Sequence, residues 1–396
     1  MISSTIIVAF GGVSPEHEVS VISGIQAAQT LKESGQQVMP LYISKQGVWY
    51  SGEKLLDLKN YKNLNALPTI ANLCRFVISQ NGSTEFELIE SGLFKKNSFF
   101  SIKCVVCVFH GSEGENGAFQ GLCEQMNIAY TGSPVMASAI GMDKDTAKRL
   151  CHDAGIPTVP GISFWESEWV SKRNEILEQL NEIGYPVFVK PARLGSSIGV
   201  EKAENPEKLL EAIETAFRYD SKLIVEKAIF PLREINCSVL GTPEECRPSV
   251  CEQPKGSSEI LSFKDKYQSD AGSAKGGMAS ASRIIPAPIS FEKTKEIQQL
   301  ATKIFRLLGC AGVSRLDFLM NDKTEEVYFN EINTIPGSLS FYLWEKSGLS
   351  FSGLLNELIN IGVQLNRQKN GRIRSYETNL LQEKSTKGLK GIKGLK

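Results

Sequence analysis

Two short strings, Arg315-Leu316-Asp317 and Glu331-Ile332-Asn333, set polar residues two apart inside otherwise apolar runs. Residues two apart on a β-strand share a face, so Arg315 and Asp317 point one way, as do Glu331 and Asn333. If the two strands pair, a carboxylate from each and an amide oxygen converge. Hard oxygen donors of this kind suit Mg²⁺, which also keeps waters and substrate phosphates in its shell. A salt-bridged solvent face is the competing reading, and the apolar neighbours argue against it. A second string, Phe188 to Val200, ends a strand on Lys190 and continues into Gly195-Ser196-Ser197-Ile198-Gly199, a loop of small residues whose amides can wrap a phosphate. By itself that string fits an ordinary surface hairpin equally well. Two more polar loops, Gly11 to Ser20 and His110 to Gly117, each follow an apolar run. Ligands of open α/β sheets bind beyond the carboxyl ends of such strands.

Other chemistries are absent from the sequence. No G-x-x-x-x-G-K-[ST] loop and no G-x-G-x-x-G turn occurs, and His17-Glu18 opens like a zinc-protease helix but has Val21 where the second histidine belongs. Cys104 and Cys107 have redox-motif spacing, but three apart on an apolar strand they face opposite ways, and core thiols are the better reading. The 44 basic and 44 acidic side chains cancel, which removes the positive field of a nucleic-acid binder. The apolar start, Ile2 to Phe10, is too short to span a bilayer and lacks the basic flank of an export signal. Nine cysteines without a regular framework fit a reducing compartment, so a cytoplasmic protein with no membrane insertion is expected.

The elements that position these residues follow from periodicity. A length of 396 residues predicts two or three domains. Thr5–Phe10, Val38–Ile43 and Cys104–Phe109 read as strands and Val19–Leu31 as a helix, together a parallel α/β unit. A helix is expected over Met136–Cys151, closed by Gly155 and a proline-rich breaker. Further strands fit Val187–Lys190, Leu223–Glu226, Glu234–Leu240, Val313–Met320 and Val327–Ile332, with helices over Pro206–Phe217 and Phe291–Leu308. Ser257–Ser282, rich in Gly, Ser, Ala and Lys, reads as a long closing loop. The lysine- and glycine-rich end is expected to be a disordered tail.

Taken in order, GGVSPEHEVS, HGSEGENGAFQG, YTGS, GMDKDTAK, FVKPARLGSSIGV, IVEKAI with REINCSVLG, GCAGVSRLDF and NEINTIPGS resemble the D-alanine:D-alanine ligases, a branch of the ATP-grasp carboxylate-amine ligases, over residues 5 to about 365. The resemblance implies a three-domain ATP-grasp fold with a Rossmann-like amino-terminal domain over 1–131, grasp domains over 132–228 and 229–368, and a tail over 369–396. It implies an enzyme that joins two D-alanines through a D-alanyl phosphate for peptidoglycan precursor synthesis, with ATP as substrate, two Mg²⁺ ions (Mn²⁺ as substitute) and a homodimeric assembly. Lys144 and Lys190 match the phosphate lysines; Ser196 and Ser197 lie in the phosphate loop. Glu226, Lys227 and Ile229 match the adenine segment and Glu234 the ribose acceptor. Asp317, Glu331 and Asn333 match the metal set, and Arg315 with the amide of Gly337 matches the groups around the tetrahedral intermediate. Glu16 matches the residue at the first ammonium, tied through Ser196 and Tyr267 to the closing loop, and His110 matches a histidine near the first substrate. The loop around Tyr267 is shorter than the family pattern, and Ser338-Leu339-Ser340-Phe341-Tyr342 leaves Ser338, Ser340 or Tyr342 as candidates for the second substrate's carboxylate. The alternatives are the same mechanism with D-serine, D-lactate or another amino acid as acceptor, and a non-catalytic ATP-binding protein of the same fold.

Overall fold

The computed structural model describes residues 4–90, 96–255 and 283–375. Three sheets organise them. Strands β1 (Thr5–Gly11), β2 (Val38–Ile43), β3 (Trp49–Ser51), β4 (Asn72–Ile78), β5 (Thr84–Ile89) and β6 (Ser98–Cys107) close into a ring. β1 pairs in parallel with β2 and β6, and every β1 residue is buried, as expected of a strand covered on both faces. The predicted parallel unit is therefore the core of this domain. The antiparallel strands β3 to β5 escaped the sequence reading because β3 has only three residues and β4, interrupted by Arg75, forms no continuous apolar run.

The second sheet, β7 (Gly161–Trp165), β10 (Lys222–Lys227), β8 (Val187–Pro191) and β9 (Glu201–Ala203) in that order, is antiparallel. It buries its own apolar cluster around Leu180, Val189, Leu209 and Leu223. The third sheet runs β13 (Arg283–Ile284), β12 (Cys246–Pro254), β11 (Leu232–Gly241), β14 (Gly312–Asn321), β15 (Val327–Asn333). Strand β12 was not anticipated: Pro248 and Pro254 argue against a strand, and Pro248 is accommodated where the β11–β12 register shifts.

Two helical expectations need correction. The segment 136–151 is not one helix but two, α4 (Val135–Met142) and α5 (Lys144–Asp153), because Asp143 is extended and its carboxylate caps α5 by accepting from the Thr146 amide at 2.9 Å. The last helix, Phe351–Asn370, continues to Asn370, so the expected tail boundary at 369 falls inside it. That helix packs Leu354, Leu355, Leu358 and Ile359 against the amino-terminal core, joining the two ends of the chain. Tyr267, the closing loop and the tail beyond 375 lie outside the described residues. Among the described residues no helix is long and apolar enough to cross a membrane.

Candidate functional site

The two strings that opened the sequence analysis pair as β14 and β15, with Arg315 opposite Asn333 and Asp317 opposite Glu331. Directly opposed residues share a face, so all four converge. Phe329 and Ile332 both point into the core beneath, although they are three positions apart. The register shift at Asp317/Phe318 leaves Asn330 without a partner, a β-bulge that switches the phase of β15 between its core half and its polar half. Arg315 donates Nε and Nη2 to Asp317, each at 2.7 Å, and Asn333 Nδ2 reaches Asp317 Oδ2 at 3.2 Å. Burial disfavours the Arg315 charge, but the Asp317 carboxylate outweighs it and holds the guanidinium well above its ordinary range. Lys144 Nζ lies 3.2 Å from Glu331. Among the described residues no group of three His, Cys, Asp or Glu is disposed to hold a metal. Two facing carboxylates completed by the Asn333 amide oxygen nonetheless form an all-oxygen set, and that chemistry fits a divalent magnesium-like ion.

Across the cleft stand the second sheet and α5. Lys190, at the end of β8, donates to Glu226 Oε2 at 2.7 Å and to the bulge residue Asn330 at 3.3 Å. Lys148, one turn after Lys144 on α5, pairs with the other oxygen of Glu226. Burial pushes the Glu226 carboxyl up, yet the two ammonium groups prevail and hold it at about 2; burial likewise depresses Lys148, to about 8, against the pull of Glu226. Lys144 also grips the Leu194 carbonyl, at the mouth of the small-residue loop. In that loop Ser196 and Ser197 are consecutive left-handed residues at φ +51° and +58°, an uncommon arrangement for non-glycine residues. The Lys227 ammonium turns away to the Gly184 and Tyr185 carbonyls at 3.0 and 3.2 Å, leaving only its backbone for a ligand. Ile229 follows β10, and Glu234 lies near the start of β11.

Helix α1 (His17–Glu33) brings the amino-terminal loops to the same cleft. Glu16 stands at its N-cap but makes no side-chain cap; its carboxylate instead accepts from Ser196 Oγ across the cleft. A Cβ on Gly111 would come 2.7 Å from Glu16 Oε2, and one on Gly195 2.8 Å from it. Only glycines leave room for this carboxylate. His110 bonds Ser23 at 3.2 Å, and burial drives its imidazole down to about 4, so it is neutral near pH 7. Ser23 also accepts from the Ser338 amide at 3.1 Å, and Ser338 Oγ donates to Gln26 at 3.2 Å. Ser338, Leu339 and Ser340 are all left-handed, at φ +49°, +54° and +50°, directly after Gly337. Such residues store about 1–3 kcal/mol each and cluster at ligand sites. Ser340 Oγ is wholly buried and has no hydrogen-bond partner among the described residues. Tyr342 donates to Glu252 at 3.2 Å beneath the Arg283 guanidinium.

Contacts thus link Glu16 to Ser196, Lys144 to Glu331, Lys190 to Glu226 and Asn330, and His110 through Ser23 to Ser338, whereas Ile229 and Glu234 are placed only by their positions along the chain and the Lys227 ammonium turns away. Four residues were missed. Lys148 sits four residues after Lys144, a spacing that puts both on one helix face and was visible in GMDKDTAK. Glu115 lies inside a quoted loop, but its pairing with the amides of Gly111 and Ile335 is tertiary. Asn330 depends on the bulge, and Glu252 on the unforeseen strand β12.

Comparison with known proteins matches residues 5–133 to the family described as D-ala D-ala ligase N-terminus and residues 150–360 to D-ala D-ala ligase C-terminus. The D-alanine–D-alanine ligase of Thermosipho melanesiensis is 38% identical over 377 residues, covering 95% of this chain and 97% of the relative. That of Caldicellulosiruptor bescii is 38% identical over 367 residues, 91% of this chain and 96% of its own. Among solved structures, the D-alanine-D-alanine ligase from Coxiella burnetii superposes with a TM-score of 0.77 at 27% identity, covering 97% of this chain and 100% of that one. The VanG D-Ala:D-Ser ligase from Enterococcus faecalis superposes with a TM-score of 0.74 at 33% identity, covering 91% and 99%.

Proposed function

The chain belongs to the D-alanine–D-alanine ligase family, with its ATP-grasp fold, and on that premise we propose how its cleft joins two D-alanine molecules at the expense of ATP. One observation supports the reading: the facing Asp317 and Glu331, the lysines Lys144 and Lys190, and the Glu16–Ser196 pair are joined by contacts between the three sheets. Lys144, Lys190 and the loop amides around Ser196 and Ser197 hold the ATP phosphates. Backbone groups at Glu226, Lys227 and Ile229 meet the adenine edge, and Glu234 accepts from the ribose. The family uses a divalent metal; here Asp317, Glu331 and Asn333 would hold two Mg²⁺ ions, which would supply positive charge to neutralise the phosphates. Glu16 takes the ammonium of the first D-alanine and His110, uncharged, lies beside that substrate. The first carboxylate attacks the γ-phosphorus and ADP departs, a transfer that needs positioning and charge neutralisation more than covalent help. The second amine then attacks the acyl carbonyl, Arg315 and the Gly337 amide stabilise the oxyanion, and phosphate leaves. Ser340, whose buried hydroxyl has no partner among the described residues, receives the second carboxylate together with Ser338.

The curated relatives named above do not favour a different acceptor, and a full set of phosphate lysines and metal donors does not favour a non-catalytic protein. We place the enzyme in the cytoplasm, as a homodimer, making peptidoglycan precursor, with amino-terminal, central and carboxyl-terminal domains over 1–131, 132–228 and 229–368. Phosphate release measured with D-alanine, D-serine and D-lactate, with products identified by mass, tests the substrate assignment. D-alanine alone should sustain turnover and give the homodipeptide. Turnover requiring D-serine or D-lactate beside D-alanine would reject D-alanine as the acceptor.

A further inference from the structure

We propose that Lys148 is a positioning residue of the nucleotide site: as the standing counter-ion of Glu226, it releases Lys190 to reach the phosphates. The inference rests on the reading of Lys190 as a phosphate ligand. Lys148, Lys190 and Glu226 are 5%, 5% and 1% exposed. Two ammonium groups thus share one buried carboxylate, Lys148 at Oε1 and Lys190 at Oε2, and since the neighbouring Glu331 is paired with Lys144, the three lysines face two carboxylates and keep one positive charge in excess. Water cannot supply the missing anion at that depth, so the excess charge calls for an anionic ligand.

The surroundings identify which lysine is free to move. Lys190 is the penultimate residue of β8, five residues before the loop at Gly195–Gly199, and its second contact, Asn330, lies beside Glu331 on the oxygen-donor face. It stands between its resting partner and the phosphate region. Lys148 is bonded to Glu226 and belongs to a helix fixed at its start, where the Lys144 amide donates to Ala192 at 2.9 Å and the Asp143 cap is held by Lys222 at 3.1 Å. Were Lys190 the sole partner of Glu226, its departure would strand a buried carboxylate, a strongly unfavourable step. Lys148 removes that obstacle.

The test uses the full-length protein and Mg²⁺-tripolyphosphate, which probes the phosphate subsite without adenine, titrated calorimetrically. Lys148→Met should weaken binding about tenfold or more, and Lys148→Arg should restore most of it. In a Glu226→Gln background the same Lys148→Met change should have no effect, because the carboxylate that needs holding is gone. A merely structural lysine would shift the denaturation midpoint without this dependence on position 226. Binding within twofold of the parent in Lys148→Met, or a double variant as weak as the single one, overturns the proposal. If Lys148→Met does not fold, Glu226→Gln decides: it should bind tripolyphosphate more tightly than the parent, and equal or weaker binding overturns the proposal. Lys190→Met separates the premise, since unchanged binding there rejects Lys190 as a phosphate ligand rather than the role of Lys148.

Discussion

Glu115 shows how far a single side chain departs from its solution behaviour here. It is buried between two loops, accepting from the Gly111 amide at 2.9 Å and the Ile335 amide at 3.2 Å, and so ties the His110 loop to the segment that leads into Gly337. Burial pushes its carboxyl up, the nearby Glu16 charge adds to that, and the two amides only partly offset them, leaving it at about 7. The folded state therefore holds a proton that the unfolded chain has released by about pH 4.5, and stability contributed by this group falls as pH rises from about 4.5 to 7. Glu115→Gln removes the titration. The unfolding free energy of the parent relative to the variant, from denaturant titrations, should fall across that window and level off above it, by an amount on the order of 3 kcal/mol at most. A difference that stays constant with pH would refute the assignment. Residue types alone revealed Asp317, Glu331 and Lys190, whose chemistry is carried by strand alternation and by position at a strand end. They did not reveal Glu115 or Lys148, whose roles arise from what folding packs around them.

At the scale of elements, the cleft depends on a few backbone devices. The bulge at Asn330 lets β15 bury Phe329 and still turn Glu331 and Asn333 toward Asp317. The break at Asp143 starts a new helix with Lys144 at its first position, where its side chain meets both Glu331 and Leu194. The glycines at 111 and 195 admit the Glu16 carboxylate from two sides. Gly195→Ala tests the last device. Its Cβ would meet Glu16 Oε2 at 2.8 Å, and displacing that carboxylate should raise the KM for the first D-alanine by about tenfold, the loss expected for one charge-assisted hydrogen bond. The melting temperature should change little, since the loop can yield at the far end of a side chain. Unchanged D-alanine kinetics would show that Glu16 is not held by this close approach. Continuous apolar runs made β1, β2 and β6 legible, and alternation made β14 and β15 so. Half-exposed β4, proline-bearing β12 and the helix break were not, because each is decided by tertiary packing rather than by a local pattern.

The whole molecule surrounds one cleft with three sheets, and each contributes a different function: Glu16 and His110 come with the first, Lys190 and Glu226 with the second, Asp317 and Glu331 with the third. The final helix packs against the amino-terminal core and ties the part of the chain that carries Asp317 and Glu331 to the part that carries Glu16 and His110. This arrangement was legible as a family order of motifs, although no single motif fixed how the sheets meet. Its central chemical claim is that one D-alanine passes through an acyl phosphate. Turnover with ATP and D-alanine labelled with ¹⁸O in both carboxylate oxygens, followed by mass analysis of the released phosphate, measures that directly. An acyl phosphate requires one carboxylate oxygen to leave with phosphorus, so each phosphate should carry one ¹⁸O and the nucleotide product should be ADP. Unlabelled phosphate, or AMP with pyrophosphate, would contradict the account.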